Sequence, residues 1–334
     1  MAHPLAPYRS PEERDSRLDE LARSLGAELR VLGRSHEGRE IRVARVPRAA
    51  ATRSASSAPG GSPRHVLVCA GIHGLEYIGS EVALGLLEAM RNPFPSLAQL
   101  RSRAEIWVLP SLNPDAYART WAREGQGELK RLRTNARGVD LNRNFPLPAP
   151  QRPVLSTLGG WRTGSDDPAN PFYRGSCALS EPETASLDAL LRQVPFAASA
   201  NLHSTWGMMI PPCLERRAHV AAYRTLCRAF GLAQPRSRYR RLSLPALDRF
   251  TGEQEDHQHH AFGTWALCIE HYPIWVDVIR FRRADRLFWE FNPPDPAPWI
   301  ANDVPGIVGF FEAALDLGPP GAHSITARAV SPGG

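Results

Sequence analysis

Four short apolar runs constrain what this chain can fold into: "RHVLVCAG" at 64–71, "AEIWVLPSLNP" at 104–114, "FAASANLHS" at 196–204 and "TWALCIEHY" at 264–272. Their apolar residues run together without alternating with polar ones, as in strands buried on both faces. Helical stretches separate them. One runs from about Gly79 to Met90. "SEPETASLDALLRQV" places Ser180 and Glu183 at capping-box spacing, and "VPGIVGFFEAALDL" closes the series. This alternation predicts an α/β fold, a single-domain mixed, largely parallel twisted sheet with helices on both faces.

Ahead of these elements, Ser10-Pro11-Glu12-Glu13 reads as a helix start, with a capping serine, proline at the first helical position and a glutamate to close the box. Gly26 is the expected stop. "AELRVLGRS" and "REIRVARV" then form a predicted hairpin around His36-Glu37-Gly38. Residues 48–64 are poor in large apolar side chains and are expected to be a flexible surface loop. The tail from 318 onward is expected to be disordered.

Three of the apolar runs end in a histidine or a carboxylate: the first leads to His73 and Glu76, the third to His203, the last to Glu270. In open α/β sheets ligands bind outside the carboxyl ends of the strands, so these distant residues converge on one mouth. Two histidines and a carboxylate make a catalytic zinc set with one position left for water. Gly71 and Gly74 let the backbone turn so that His73 and Glu76 face one ion. Glu270 then fits the base that is not a ligand. His203 can also be read as a satisfied core histidine, and Glu270 as half of a buried ion pair. A carboxylate directly after "WALCI" otherwise loses water at a cost of several kcal/mol.

Composition narrows the partners. The net charge is +6, but Lys130 is the only lysine and the arginines are interleaved with acids. No nucleic-acid module accompanies them, which argues against a nucleic-acid partner. The five cysteines are odd in number and lack C-x-x-C spacing, which fits a reducing compartment. There is no apolar signal core and no run long enough to cross a bilayer. The expectation is a cytoplasmic protein with no membrane association.

Further segments carry a resemblance. "GIHGLE", "LNPDAY" at 112–117, "RTNARGVDLNRNFP" at 133–146, "SEPET", "NLHS" and "GTWALCIE" occur in this order. The chain resembles the zinc carboxypeptidases over about 29–317, most closely the murein-peptide amidase and succinylglutamate desuccinylase-like branch. The resemblance implies one Zn2+ per chain on His73, Glu76 and His203, with Glu270 as general base and then general acid. Arg133 would stabilise the oxyanion, Asn142 and Arg143 would hold the substrate's terminal carboxylate, and Asp140 would orient a ligand histidine. From the residues alone, the favoured reading of the arginines is a solvated basic face, with Arg131 and Arg137 close by. The implied organisation is an N-terminal helix over 1–28, a catalytic domain over 29–317 and a tail over 318–334.

One departure stands out. The segment "LPALDRFTGEQEDHQHHAFG" contains no tyrosine, where pancreatic-type members have a mobile one over the substrate. His257, His259 and His260 in this segment are expected to be exposed or to face substrate. The resemblance implies that a residue of this loop lines the terminal side-chain pocket; counting back from Glu270 makes Glu255 the candidate, with a preference for a basic end, and Glu255 can equally be read as a solvated loop residue. The expected function is a metallocarboxypeptidase or peptide amidase-type zinc hydrolase, cleaving an amide adjacent to a free carboxylate. Alternatives are a deacylase of small N-acyl amino acids of the aspartoacylase type, and a non-catalytic binding protein on the same fold. Nothing in the sequence sets an oligomeric state.

Overall fold

The computed structural model describes residues 3–49, 64–146, 164–214, 216–242, 251–273 and 286–320. Most of the loop expected at 48–64, and the expected tail beyond 320, lie outside them. Helix α1 spans Pro11–Leu25 and begins as predicted. Ser10 Oγ accepts the Glu13 N–H while the Glu13 side chain accepts the Ser10 N–H, and Gly26 closes the helix with φ 61°. Its Leu18 and Leu21 are fully buried in the main core.

Among the described residues the strands are β1 (Glu28–Arg34), β2 (Glu40–Val46), β3 (Arg64–Ala70), β4 (Ala104–Leu109), β5 (Phe196–Ser204), β6 (Met208–Ile210), β7 (Arg240–Arg241) and β8 (Trp265–His271). They form one sheet of eight strands in the order β1-β2-β4-β3-β5-β8-β6-β7. The central four, β4-β3-β5-β8, are mutually parallel, as their continuous apolar runs predict. The β1–β2 hairpin adds antiparallel to β4, and β6 adds antiparallel to β8.

Alternation along β3 divides the interior. Val66, Val68 and Ala70 face a core shared with α2 (Tyr77–Ala89), α7 (Arg217–Ala233) and α10 (Ala297–Leu317). Leu67 and Cys69 face a second core with Leu187, Leu190 and Leu191 of α6 (Pro182–Gln193). Each fully buried Val or Leu contributes about 1.5–3 kcal/mol, so both faces of the sheet are firmly covered. Among the described residues no helix is long and apolar enough to cross a membrane.

Several boundaries differ from the sequence reading. α2 begins at Tyr77 rather than about Gly79. Ser180 does not cap α6, whose N-cap is Glu181. The serine hydroxyl instead donates to Glu181 and accepts from Asn144, so a tertiary network outcompetes the local cap. α10 begins at Ala297 and carries Pro305 inside it. A proline in a helix interior costs about 3 kcal/mol, which burial of Val304, Ile307, Val308 and Phe311 more than offsets.

The segment expected to be a loop before β8 is helix α8 (Gln254–Phe262), closed by Gly263 with φ 64°. Its histidines are neither exposed nor facing the cavity described below. His257 and His259 are each 4% exposed. His257 pairs with Asp188 at 2.8 Å, His259 lies 3.2 Å from both the Tyr223 hydroxyl and the Thr264 carbonyl, and half-buried His260 reaches the Cys213 carbonyl at 2.9 Å. They tie α8 to its neighbours, which corrects the sequence expectation.

Candidate active site

The site begins in the turn after β3. Gly71 has φ 64° and lies against Ser111, where a Cβ would come within 3.0 Å of the Ser111 Cα. Gly74 serves differently from expectation: its φ is not left-handed, but a Cβ there would sit 2.2 Å from Ala116 Cβ. It admits the close approach of α4 (Pro114–Ala122). Asn113, the first residue of the N-P-D segment, caps α4 through its side-chain oxygen and donates from its amide nitrogen to the Ile72 carbonyl at 3.2 Å. That segment therefore braces the turn carrying His73 and Glu76.

His73 Nδ1 lies 2.8 Å from Glu76 Oε1, and His203 Nδ1 lies 3.1 Å from Glu76 Oε2. All three side chains are buried, and one donor atom from each falls within 4.8 Å of the others. His203 arrives from β5, where the parallel register sets it directly beside Glu270 of β8. Behind His73, Asp140 Oδ1 sits 3.1 Å from Nε2. That contact assigns the proton to Nε2 and turns the Nδ1 lone pair toward Glu76 and His203. The same Oδ1 accepts the Asn142 N–H at 3.0 Å, while Oδ2 accepts Arg133 Nε at 2.9 Å.

These contacts shape the ionisation. Burial pushes the Asp140 carboxyl up, but Arg133 and His73 overcome it and hold the group well below the usual carboxylate range. Burial likewise opposes charge on Glu76, yet the two imidazoles beside it keep it low. Burial lowers His203, favouring the neutral ring that a metal requires. Glu270, facing the cavity, is driven well above its ordinary value by burial and then by Glu76, with Arg133 opposing. The donor set fits zinc: two imidazoles and a carboxylate, with one imidazole anchored from behind through its other nitrogen.

The donors open onto a cavity of about 470 Å³. Of the residues given a metal, catalytic or substrate role from the sequence, these line it: His73, Glu76, His203, Glu270, Arg133, Asn142, Arg143 and Glu255. Asn142 Oδ1 accepts the Gln254 N–H at 2.9 Å, which leaves its NH2 as the end able to donate. Arg143 is 8% exposed and lies 3.1 Å from Glu253. Glu255 is 2% exposed, and burial together with neighbouring Glu253 pushes it up to about 8.

Two contributors escaped the sequence reading. The Phe172 ring lies 5.2 Å from the Arg133 guanidinium carbon and 5.9 Å from that of Arg143, so one ring supports both cations. Nothing in "NPFYRG" marks it. Glu253 lies two residues from Glu255, and only its contact with Arg143 reveals it. Another donor group, His36, Glu181 and Glu183, also falls within 4.8 Å. There, however, the Asn135 amide donates to Glu181 at 2.7 Å and to Glu183 at 3.3 Å, filling the space between the carboxylates. We read it as a hydrogen-bonded brace of the 133–144 loop.

Known proteins bear on this arrangement. Carboxypeptidase Z from Mus musculus is 32% identical over 181 residues, 52% of this chain and 26% of that protein. The carboxypeptidase N catalytic chain from Mus musculus is 34% identical over 140 residues, 40% of this chain and 29% of that one. The chain thus spans well under half the length of these curated relatives. Among solved structures, thrombin activatable fibrinolysis inhibitor superposes with a TM-score of 0.72 at 18% identity, covering 92% of this chain and 75% of that one. Carboxypeptidase A from Helicoverpa armigera superposes with a TM-score of 0.71 at 22% identity, covering 92% and 74%. The two solved structures share the fold of this chain. The zinc carboxypeptidase family model matches residues 16–270, and with three-quarters of its length so matched the chain belongs to the zinc carboxypeptidase family.

Proposed function

We propose that this chain is a zinc-dependent carboxypeptidase that hydrolyses the amide bond next to a free carboxylate. The observation that carries the reading is the shared cavity. His73, Glu76 and His203 converge at one end with Glu270 and Arg133 beside them, while Asn142 and Arg143 offer donors for a carboxylate in the same space. One zinc ion, when bound, would supply an activated water and polarise the scissile carbonyl.

The remaining work falls to side chains. Arg143 and Asn142 grip the terminal carboxylate, which fixes the position of the amide. Arg133, held by Asp140 and Phe172, places fixed positive charge where the carbonyl oxygen becomes negative. Glu270 takes a proton from the attacking water and passes it to the leaving nitrogen. The C–O bond forms first, leaving the negative oxygen beside Arg133; the C–N bond then breaks as the nitrogen takes the proton from Glu270, so bonds and protons balance. Glu255 lines the same cavity, and an ammonium or guanidinium beside it would favour its ionised form, which supports a preference for a terminal residue carrying such a group.

The test is a panel of short peptides and N-acyl amino acids, assayed with and without chelator, on wild type and Glu270→Gln. We expect chelator-sensitive release of the terminal residue from the peptides, and a loss of about 10²–10⁴-fold in the variant with its zinc retained. Turnover confined to N-acyl amino acids, or an unimpaired variant, would overturn the reading.

A further inference from the structure

Arg143 already has a carboxylate within reach: Glu253 Oε1, at 3.1 Å from NH1. A substrate carboxylate that takes the NH1 edge of this guanidinium displaces the internal one. The surroundings permit that exchange. The backbone at this point is pinned, since Phe145 N donates to the Gly252 carbonyl at 3.1 Å and Gln254 N to Asn142 Oδ1 at 2.9 Å. The Glu253 side chain is not pinned in the same way. It occupies the N-cap position of α8 without making a side-chain capping bond, and it is 24% exposed. It can swing off Arg143 without unwinding the helix.

What happens next depends on the incoming residue. Once displaced, Glu253 is left in the cavity two residues from buried Glu255, with its former cation taken. A terminal residue with an apolar side chain gives Glu253 nothing in exchange, and breaking a sheltered ion pair without replacement is costly. A residue that carries an ammonium or guanidinium as well as its carboxylate exchanges one ion pair for two. Resting on the carboxylate-gripping role given above to Arg143, we infer that Glu253 is a displaceable counter-ion of Arg143 that sets terminal-residue specificity, admitting readily only residues bearing both a carboxylate and a cationic side chain. Glu253 thus penalises apolar ends, in addition to any attraction that Glu255 exerts on basic ones.

The experiment reads binding without turnover. Zinc-loaded wild type, Glu253→Gln, Glu253→Ala and Arg143→Met are titrated calorimetrically with Nα-acetyl-leucine and Nα-acetyl-lysine, ligands that differ in the side-chain cation and have no α-ammonium. Because Glu253 is partly exposed, the pair is worth about tenfold in affinity rather than the larger value of a fully buried one. We expect wild type to bind the lysine ligand about tenfold more tightly than the leucine ligand. Both Glu253 variants should bind the leucine ligand about tenfold more tightly than wild type does, with the preference for lysine reduced to the part that Glu255 supplies, and Arg143→Met should weaken both ligands. Unchanged leucine binding in the Glu253 variants, or equal weakening of both ligands, would overturn the exchange. So would an absence of measurable binding in every protein, since Arg143 would then not be the carboxylate seat. The predicted pattern in a protein that cleaves no peptide would refute the hydrolase reading alone and keep the exchange.

Discussion

Asp140 offers the sharpest test of how the site is built, because its two oxygens serve different partners. Oδ1 accepts from His73 Nε2 and from the Asn142 N–H, and Oδ2 accepts from Arg133 Nε. An Asp140→Asn side chain must choose an orientation. With its oxygen in the Oδ1 place it keeps both of those contacts and sets its NH2 against Arg133 Nε, one donor–donor conflict. Flipped, it satisfies Arg133 and creates two conflicts. The first orientation wins, so the variant should keep His73 oriented and the metal bound while releasing Arg133. Losing a hydrogen bond between charged groups costs about 1.5–3 kcal/mol, or about 10–100-fold in kcat if Arg133 acts in the transition state. Asp140→Ala removes all three contacts and should in addition weaken zinc about 10–100-fold. Steady-state kinetics on a short peptide, combined with zinc affinity by chelator competition, separates the two variants. If Asp140→Asn loses zinc as Asp140→Ala does, or retains full kcat, the division of labour between the two oxygens is wrong.

Wild type should bind one zinc per chain and His73→Ala should lose it; elemental analysis finding full zinc in the variant would refute the ligand assignment. Arg133→Ala should mainly lower kcat, whereas Arg143→Ala should mainly raise KM for substrates with a free carboxylate, and identical effects would erase the distinction. Glu255 holds its proton up to about 8 in the folded chain, whereas in the unfolded chain it ionises in the ordinary carboxylate range. Its contribution therefore makes stability fall as pH rises across that window and levels off above it. Melting curves should show Glu255→Gln gaining on wild type between about pH 5 and pH 8, and a constant difference would show that Glu255 is not buried in the acid form.

Much of this was legible before any coordinates, and the reasons are local. Apolar continuity fixed the central strands, and Ser10, Glu13 and Gly26 fixed α1, because each signal acts within a few residues. His73, Glu76, His203 and Glu270 could be placed together because parallel strands bring their carboxyl ends to one side. The failures share a different cause. Ser180 has a capping spacing, but Asn144, distant in sequence, draws it into another network. His257 and His259 look solvent-bound in a polar segment, yet Asp188, Tyr223 and Thr264 satisfy them in the interior. Phe172 and Glu253 gain meaning only from arginines elsewhere in the chain. Tertiary partners of polar side chains leave no periodic trace.

The strand order also sets a sequence of assembly. β5 and β6 are separated by only residues 205–207, yet they do not pair; β8, more than fifty residues later, lies between them. During synthesis from the N-terminus, His73, Glu76 and His203 all emerge before β8 exists. The nascent chain thus possesses its three proposed metal donors while the slot between β5 and β6 stands open, and it acquires Glu270 only when that slot is filled. The same act closes two exposed strand edges, which are sites of mispairing until then. Completion of the sheet and arrival of the proposed base are a single event, so a chain caught before it holds the three candidate donors without the carboxylate that the proposed reaction needs.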